Sequence, residues 1–328
     1  MTDSSNGKGV DTSRLAFIFP GQGSQAVGMG KDLAEKYPIV RQTFEEADEA
    51  LGYRLSQVCF EGPEDQLRLT EITQPAILTA SIAAFRVLED LIPRPSFVAG
   101  HSLGEYSAHV ASGTMSFADA VRTVRNRGKY MQEAVPVGVG AMAAILGMEF
   151  EKVAAICQEA AQGEVCSPAN INSPEQIVIS GNTAAVERGA KLADERGAKR
   201  AKLLPVSAPF HCSLMKPAQD RLEADLNKLT MQRPVYPVAC NVDASFVSDE
   251  IRARSTLAAQ VTGSVKWLQC MRLLIEQGVE TFVEIGPGKV LCGLMRQIDR
   301  SKTCLNAGDE ASLTKTLEQF EIRTSAAG

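Results

Sequence analysis

Gly100-His101-Ser102-Leu103-Gly104 constrains the fold of this chain more than any other segment. It follows a short apolar run at 96–100, and its Ser102 begins a helix-like stretch to about residue 112. The pattern therefore predicts a strand, a sharp turn bearing a serine, and a helix. Such a turn needs small residues on either side of the serine, because a Cβ there would crowd the backbone. It lifts the hydroxyl clear of the sheet and turns the helix N-terminus, with the following N–H, toward any oxyanion forming beside it. The bland alternative is a glycine-rich β–α turn with a serine cap. The strand-to-helix context favours a nucleophile.

A serine hydroxyl needs a base to be nucleophilic at neutral pH, and the chain offers three histidines. His101 is next to the serine, and adjacent side chains around a tight turn diverge, so it is placed to brace the loop or meet substrate. His109 lies two helical turns on, too far for direct contact. His211, in Ser207-Ala-Pro-Phe-His211-Cys, is on a loop stiffened by Pro209 and remains as the candidate base, with nucleophile and histidine in hydrolase-like chain order. The residues leave open whether a backbone carbonyl or an acid orients it.

At 328 residues the chain is long enough for about two domains, or one large α/β domain carrying an insertion. Residues 15–19 predict a buried strand ending at Pro20-Gly21, and 29–51 a helix. Gln74-Pro75 predicts the opening of a buried helix running to about 91, with the proline near its first position. From 141 the order becomes strand 141–146, helix 150–161, strands 165–171 and 176–180, helix 183–196 and a strand near 201–206. This β-α-β-β-α-β order is the ferredoxin-like pattern, and it predicts an inserted domain at 136–205 within a catalytic part formed by 15–135 and 206–320. Strands at 238–242 and 281–285 resume the α/β character. Residues 1–14 predict a flexible tail and 321–328 a frayed one.

A net charge of −5 argues against broad nucleic-acid binding. No apolar run is long enough to predict a membrane span, and the N-terminus resembles neither a secretory nor a transit signal. The expectation is a cytoplasmic protein. Eight cysteines without CxxC spacing predict buried free thiols rather than disulfides, and no metal site. Pro20-Gly21-Gln22-Gly23-Ser24-Gln25-Ala26 superficially fits a dinucleotide fingerprint, but the acids about 20 residues on fall in a helix-like stretch rather than at a strand end. No Gly-Lys-Ser/Thr makes a phosphate loop of it. Its backbone N–H groups instead suit the second side of an oxyanion hole. Arg122, Arg125, Arg127 and Lys129 form a basic stretch on a predicted helix. Any one of them inside a pocket would read a carboxylate through charge and hydrogen bonding, and composition alone does not choose among them. A second basic run, Arg196, Lys199, Arg200 and Lys202, is either a solvated face or a site for an acidic partner.

Taken together, Phe19-Pro-Gly-Gln-Gly-Ser-Gln25, Gln74-Pro75-Ala76, Gly100-His-Ser-Leu-Gly-Glu-Tyr106, Arg127-Gly-Lys-Tyr-Met131, Asn172-Ser-Pro174, Pro209-Phe-His211 and Glu284-Ile-Gly-Pro-Gly-Lys289 make a pattern over about 15–310. That pattern resembles the malonyl-CoA:acyl carrier protein transacylases of bacterial-type fatty-acid synthesis. The resemblance implies an α/β-hydrolase-like large domain with a ferredoxin-like insertion. It implies ping-pong transfer of malonyl from malonyl-CoA to the phosphopantetheine thiol of acyl carrier protein, with no bound cofactor and a monomeric enzyme. By position it makes Ser102 the nucleophile, His211 the base, a carbonyl near Gln260 the group that orients the base, and the N–H groups of Gln22 and Leu103 the oxyanion hole. Arg127 would pair with the malonyl carboxylate, with Met131, Phe210, Gln260 and His101 around the substrate. The second basic run, not the resemblance, offers Lys199 and Arg200 as the docking residues for the carrier protein. The competing expectations are a serine esterase or thioesterase on a related fold, and a non-catalytic carrier-docking module.

Overall fold

The computed structural model describes residues 14–206 and 208–324. Among the described residues ten strands form two sheets: β1 (Leu15–Phe19), β2 (Phe97–Gly100), β3 (Gly140–Leu146), β4 (Cys166–Ser173), β5 (Gln176–Asn182), β6 (Arg200–Leu203), β7 (Val238–Ala239), β8 (Phe246–Val247), β9 (Thr281–Ile285) and β10 (Thr303–Ala307). The larger sheet has the order β10-β9-β1-β2-β7-β8. Its pairings are parallel except for β7 with β8. A parallel sheet is covered on both faces, so its central strands are apolar throughout instead of alternating. In β1 every residue is buried. Leu15, Phe17 and Phe19 pack with the helix Thr70–Leu88 on one face. Ala16 and Ile18 pack on the other with Trp267, Met271 and Leu291, from the helices Trp267–Glu276 and Val290–Ile298.

The smaller sheet, β4-β5-β3-β6, is antiparallel throughout. The predicted β-α-β-β-α-β order is observed, with helices Phe150–Ala161 and Thr183–Glu195 burying Val153, Ile156 and Val186 against Ala143, Ile145 and Ile179. Backbone bonds from Ile171 N to Val265 O (2.9 Å) and from Val265 N to Ala169 O (2.8 Å) fasten β4 to the larger part of the molecule.

Several expectations need correction. The helix expected over 29–51 is two, Lys31–Lys36 and Pro38–Leu51, because a residue before proline is pushed out of the helical region and Tyr37 is extended (φ −113°). Pro75 does not open its helix, which begins at Thr70 and carries the proline inside. An interior proline costs about 3 kcal/mol, here offset by near-complete burial of the helix. The helix expected to start at Ser102 starts at Gly104. The cysteines are not all free: Cys292 and Cys304 form a disulfide. They are 12 positions apart in sequence, but the helix Val290–Ile298 returns the chain to β10 and brings their Cα atoms to 5.4 Å. Cys59, Cys157, Cys166, Cys212, Cys240 and Cys270 are free. Of the predicted tails, 1–13 and 325–328 lie outside the described residues, and the last helix, Glu310–Thr324, runs into the segment expected to fray.

Candidate active site

The turn after β2 holds Ser102 in the left-handed region (φ 51°), a conformation that costs a residue with a Cβ about 1–3 kcal/mol. Close packing pins it there. A Cβ on Gly100 would fall on the Gly104 carbonyl, and one on Gly104 on the Phe19 carbonyl, so both flanking positions admit only glycine. Asn241, just beyond β7, completes the brace: its Oδ1 accepts from Ser102 N (2.7 Å) and its Nδ2 donates to the Gly100 carbonyl (2.8 Å).

His211 also lies in the left-handed region, at φ 60°. Its Nε2 is 2.7 Å from Ser102 Oγ, and its Nδ1 is 2.9 Å from the backbone carbonyl of Gln260. A carbonyl only accepts, so Nδ1 carries the proton and Nε2 is left to accept from the serine hydroxyl. Burial, and then the charge of nearby Arg127, pushes the imidazole down to about 3. It is therefore neutral, the form a base needs. His101 is bonded outside the dyad, its Nε2 2.7 Å from Asn172 Oδ1 and its ring tilted against Trp267, and it lines the same pocket as the dyad. His109 is buried inside its helix and takes no part in the cluster.

The structure separates the four cations that composition left equivalent. All lie on the helix Phe117–Glu133. Arg122 pairs with Asp119 and Lys129 with Glu133 on the surface, and Arg125 lies over the Tyr53 ring. Arg127 alone points inward, 2% exposed. It falls in the apolar series Ala120, Val124, Arg127, Met131, whose three- and four-residue spacing marks one helix face. That placement is the sequence signal that could have singled it out. Its guanidinium donates to Gln74 Oε1 (2.8 Å), Gln260 Oε1 (2.9 Å) and Ser102 Oγ (3.1 Å), all uncharged acceptors. Among the described residues it forms no ion pair, so a buried positive charge stands beside the nucleophile without a carboxylate in contact.

These groups open onto a pocket of about 750 Å³ between the two sheets, with Gln22, Met131 and Phe210 in its wall and Met142 and Leu204 contributed by the smaller-sheet side. The loop after β1 lies along the serine turn, since a Cβ on Gly21 would fall on the His101 carbonyl. Among the described residues the backbone N–H groups of Gln22 and Leu103 donate to no protein group. Gln74 and Asn241 are members of the site to which the sequence assigns no role, and Gln260, expected around the substrate, instead bonds Arg127 and Glu105 with its side chain. Lys199 and Arg200 lie at the start of β6, the edge strand of the smaller sheet, and are not in the pocket wall; Lys199 pairs with Glu175 at 2.9 Å. Among the described residues no cluster of three His, Cys, Asp or Glu side chains is placed to hold a metal, and no helix is long and apolar enough to cross a membrane.

A serine set on a strand–helix turn, with a neutral imidazole on its hydroxyl, is the arrangement of enzymes that pass acyl groups through a serine ester. Residues 16–318 match the acyl transferase domain family. The chain belongs to that family and is an acyltransferase. Its relatives include the malonyl CoA-acyl carrier protein transacylase of Salmonella typhimurium, 48% identical over 94% of this chain and 100% of that one. An acyl carrier protein S-malonyltransferase from Vibrio cholerae superposes with a TM-score of 0.91 at 50% identity, covering 93% of this chain and 100% of the other. A malonyl-transacylase solved in complex with its type II PKS acyl-carrier protein matches at TM-score 0.91 and 46% identity, over 93% and 99% of the two chains.

Proposed function

We propose that this protein transfers malonyl from malonyl-CoA to the phosphopantetheine thiol of acyl carrier protein through a malonyl-Ser102 ester. The observation that carries the proposal is the Arg127 guanidinium, buried without a carboxylate partner and 3.1 Å from Ser102 Oγ. A malonyl group whose thioester carbonyl sits over the serine would bring its free carboxylate to that charge. Acetyl-CoA would leave the charge uncompensated, which is the kind of mismatch that yields strong discrimination.

In the first half-reaction Ser102 Oγ attacks the thioester carbon as its proton passes to His211 Nε2. The oxyanion is held by the N–H groups of Gln22 and Leu103. Collapse breaks the carbon–sulfur bond, and the imidazolium returns the proton to the departing CoA sulfur. In the second half-reaction the carrier's thiol gives its proton to His211 and attacks the ester carbon, and Ser102 regains the proton as it leaves. Met131, Phe210 and His101 would line the malonyl site and limit access of water, which would otherwise hydrolyse the ester. The chemistry asks for no cofactor. Transfer to the carrier, rather than hydrolysis, is the outcome that family membership favours over an esterase or thioesterase. The intact Ser102–His211 bond argues against a purely non-catalytic docking module.

The same proposal gives the chain a catalytic part formed by 15–135 and 206–320, α/β-hydrolase-like in its parallel sheet and serine turn, and a ferredoxin-like insertion at 136–205. The strand order β4-β5-β3-β6 supports the latter. It also takes the enzyme to be a cytoplasmic monomer that receives the acidic carrier at Lys199 and Arg200.

Intact-protein mass spectrometry after brief mixing with malonyl-CoA, followed by pantetheinylated carrier protein, tests the function. We expect a one-malonyl gain on the native chain, none on Ser102→Ala, and passage of the group to the carrier. Decay to free malonate without carrier transfer would favour a hydrolase, and absence of any gain would refute acyl transfer through Ser102. Running the chase with Lys199→Glu and Arg200→Glu checks docking: slower passage with unchanged loading supports that face, and unchanged passage refutes it.

A further inference from the structure

Glu105, in the first turn of the helix after the serine, is fully buried and makes no ion pair among the described residues. One oxygen does all its bonding. Oε2 accepts from the backbone N–H of Asn241 (2.9 Å) and from Gln260 Nε2 (2.7 Å), while Oε1 has no partner among the described residues.

Each of those two donors belongs to a residue that holds the site. Asn241 braces the turn on either side of Ser102. The Gln260 side chain donates to the Ser102 carbonyl (3.0 Å) and accepts from Arg127 Nη2 (2.9 Å). A side-chain amide can lie either way round, and here the orientation matters. Reversed, Gln260 would turn its NH₂ toward the guanidinium, donor against donor, and its oxygen toward Glu105, acceptor against acceptor.

We propose that Glu105 is a positioning residue for substrate choice: its oxygen fixes the orientation of the Gln260 amide, which in turn holds Arg127 beside Ser102 with its charge free for the substrate carboxylate. The amide also stands between the carboxyl and the guanidinium, so Glu105 supports Arg127 without occupying it. The inference rests on the malonyl selectivity proposed above.

The account makes the hydrogen-bond polarity of position 105 decisive. Asn241 N–H demands an acceptor opposite it, so in Glu105→Gln the amide oxygen takes the place of Oε2 and still accepts from Gln260. Glu105→Met fills similar volume with no comparable acceptor. The test is kcat/KM for malonyl-CoA and for acetyl-CoA on the native enzyme and both variants, with thermal melting to check folding. Glu105→Gln is expected to keep the malonyl-to-acetyl ratio within about threefold, and Glu105→Met to lower it by roughly 10–100-fold, the usual range for losing an outer-shell partner of a site group. Equal losses with both donors in Glu105→Met would mean packing alone and overturn the proposal. A Glu105→Gln ratio as poor as that of Glu105→Met would also overturn it, because charge would then be the agent. If Glu105→Met does not fold, Gln260→Met removes that bond together with the amide's bonds to Arg127 and the Ser102 carbonyl and must lower the ratio, and an unchanged ratio overturns the proposal. A native enzyme without malonyl preference would instead refute the function on which the inference rests.

Discussion

Ser102 and His211 sit on bent backbone, both at positive φ, whereas Arg127 sits inside the regular 17-residue helix Phe117–Glu133. The difference separates two tasks. The reacting pair depends on local geometry that only particular neighbours allow: glycines at 100 and 104, the Asn241 brace, the Gln260 carbonyl. Arg127 depends on side-chain contacts across the pocket, on a backbone that any helix-forming residue can adopt. On the proposed function, chemistry belongs to the turns and donor choice to a helix face, and substitutions should separate the two.

The largest effect expected is from His211→Ala, which removes the base from both half-reactions. Transfer from malonyl-CoA and from acetyl-CoA should fall together, by roughly 10²–10⁴-fold. A loss confined to malonyl-CoA would break the separation, because it would make the histidine part of donor choice.

A smaller effect sharpens the same contrast. Burial and the Arg127 charge push His211 down to about 3, so the base stays deprotonated as pH falls through the range where an ordinary histidine takes up its proton. The pH profile of kcat/KM for malonyl-CoA should stay flat from pH 7.5 to 5.5, measured where melting shows the fold intact. A histidine titrating near 6.5 would cost about tenfold at pH 5.5. Burial raises the Glu105 carboxyl to about 7, so an acid limb that persists in Glu105→Gln would mean that the imidazole is not held neutral.

The sequence made the turn side of this comparison far more legible than the helix side. The serine turn, the histidine by elimination and the β-α-β-β-α-β order all rest on local signals, and helix Phe150–Ala161 falls where its periodicity predicted. Arg127 was one of four equivalent cations until the fold buried one face of its helix, and its role came from resemblance. Gln260 was expected through its backbone carbonyl, which lies 2.9 Å from His211 Nδ1, and as a residue around the substrate. Its side-chain role was invisible, because the bond to Glu105 joins residues 155 apart in sequence. Pro75 inside a helix and the Cys292–Cys304 disulfide escaped for other reasons. Burial overrode a local propensity in one case, and tertiary return of the chain made the contact in the other.

The division of labour stands or falls on Arg127→Ala. The measurement is kcat/KM for malonyl-CoA against that for acetyl-CoA, compared with the native enzyme. Losing a charge-assisted pair to a carboxylate, about 2–5 kcal/mol at a buried site, should lower malonyl transfer by roughly 30-fold or more while acetyl transfer holds or rises. A parallel fall with both donors would contradict the account, because the arginine would then serve the serine's chemistry and not the choice of what the serine accepts.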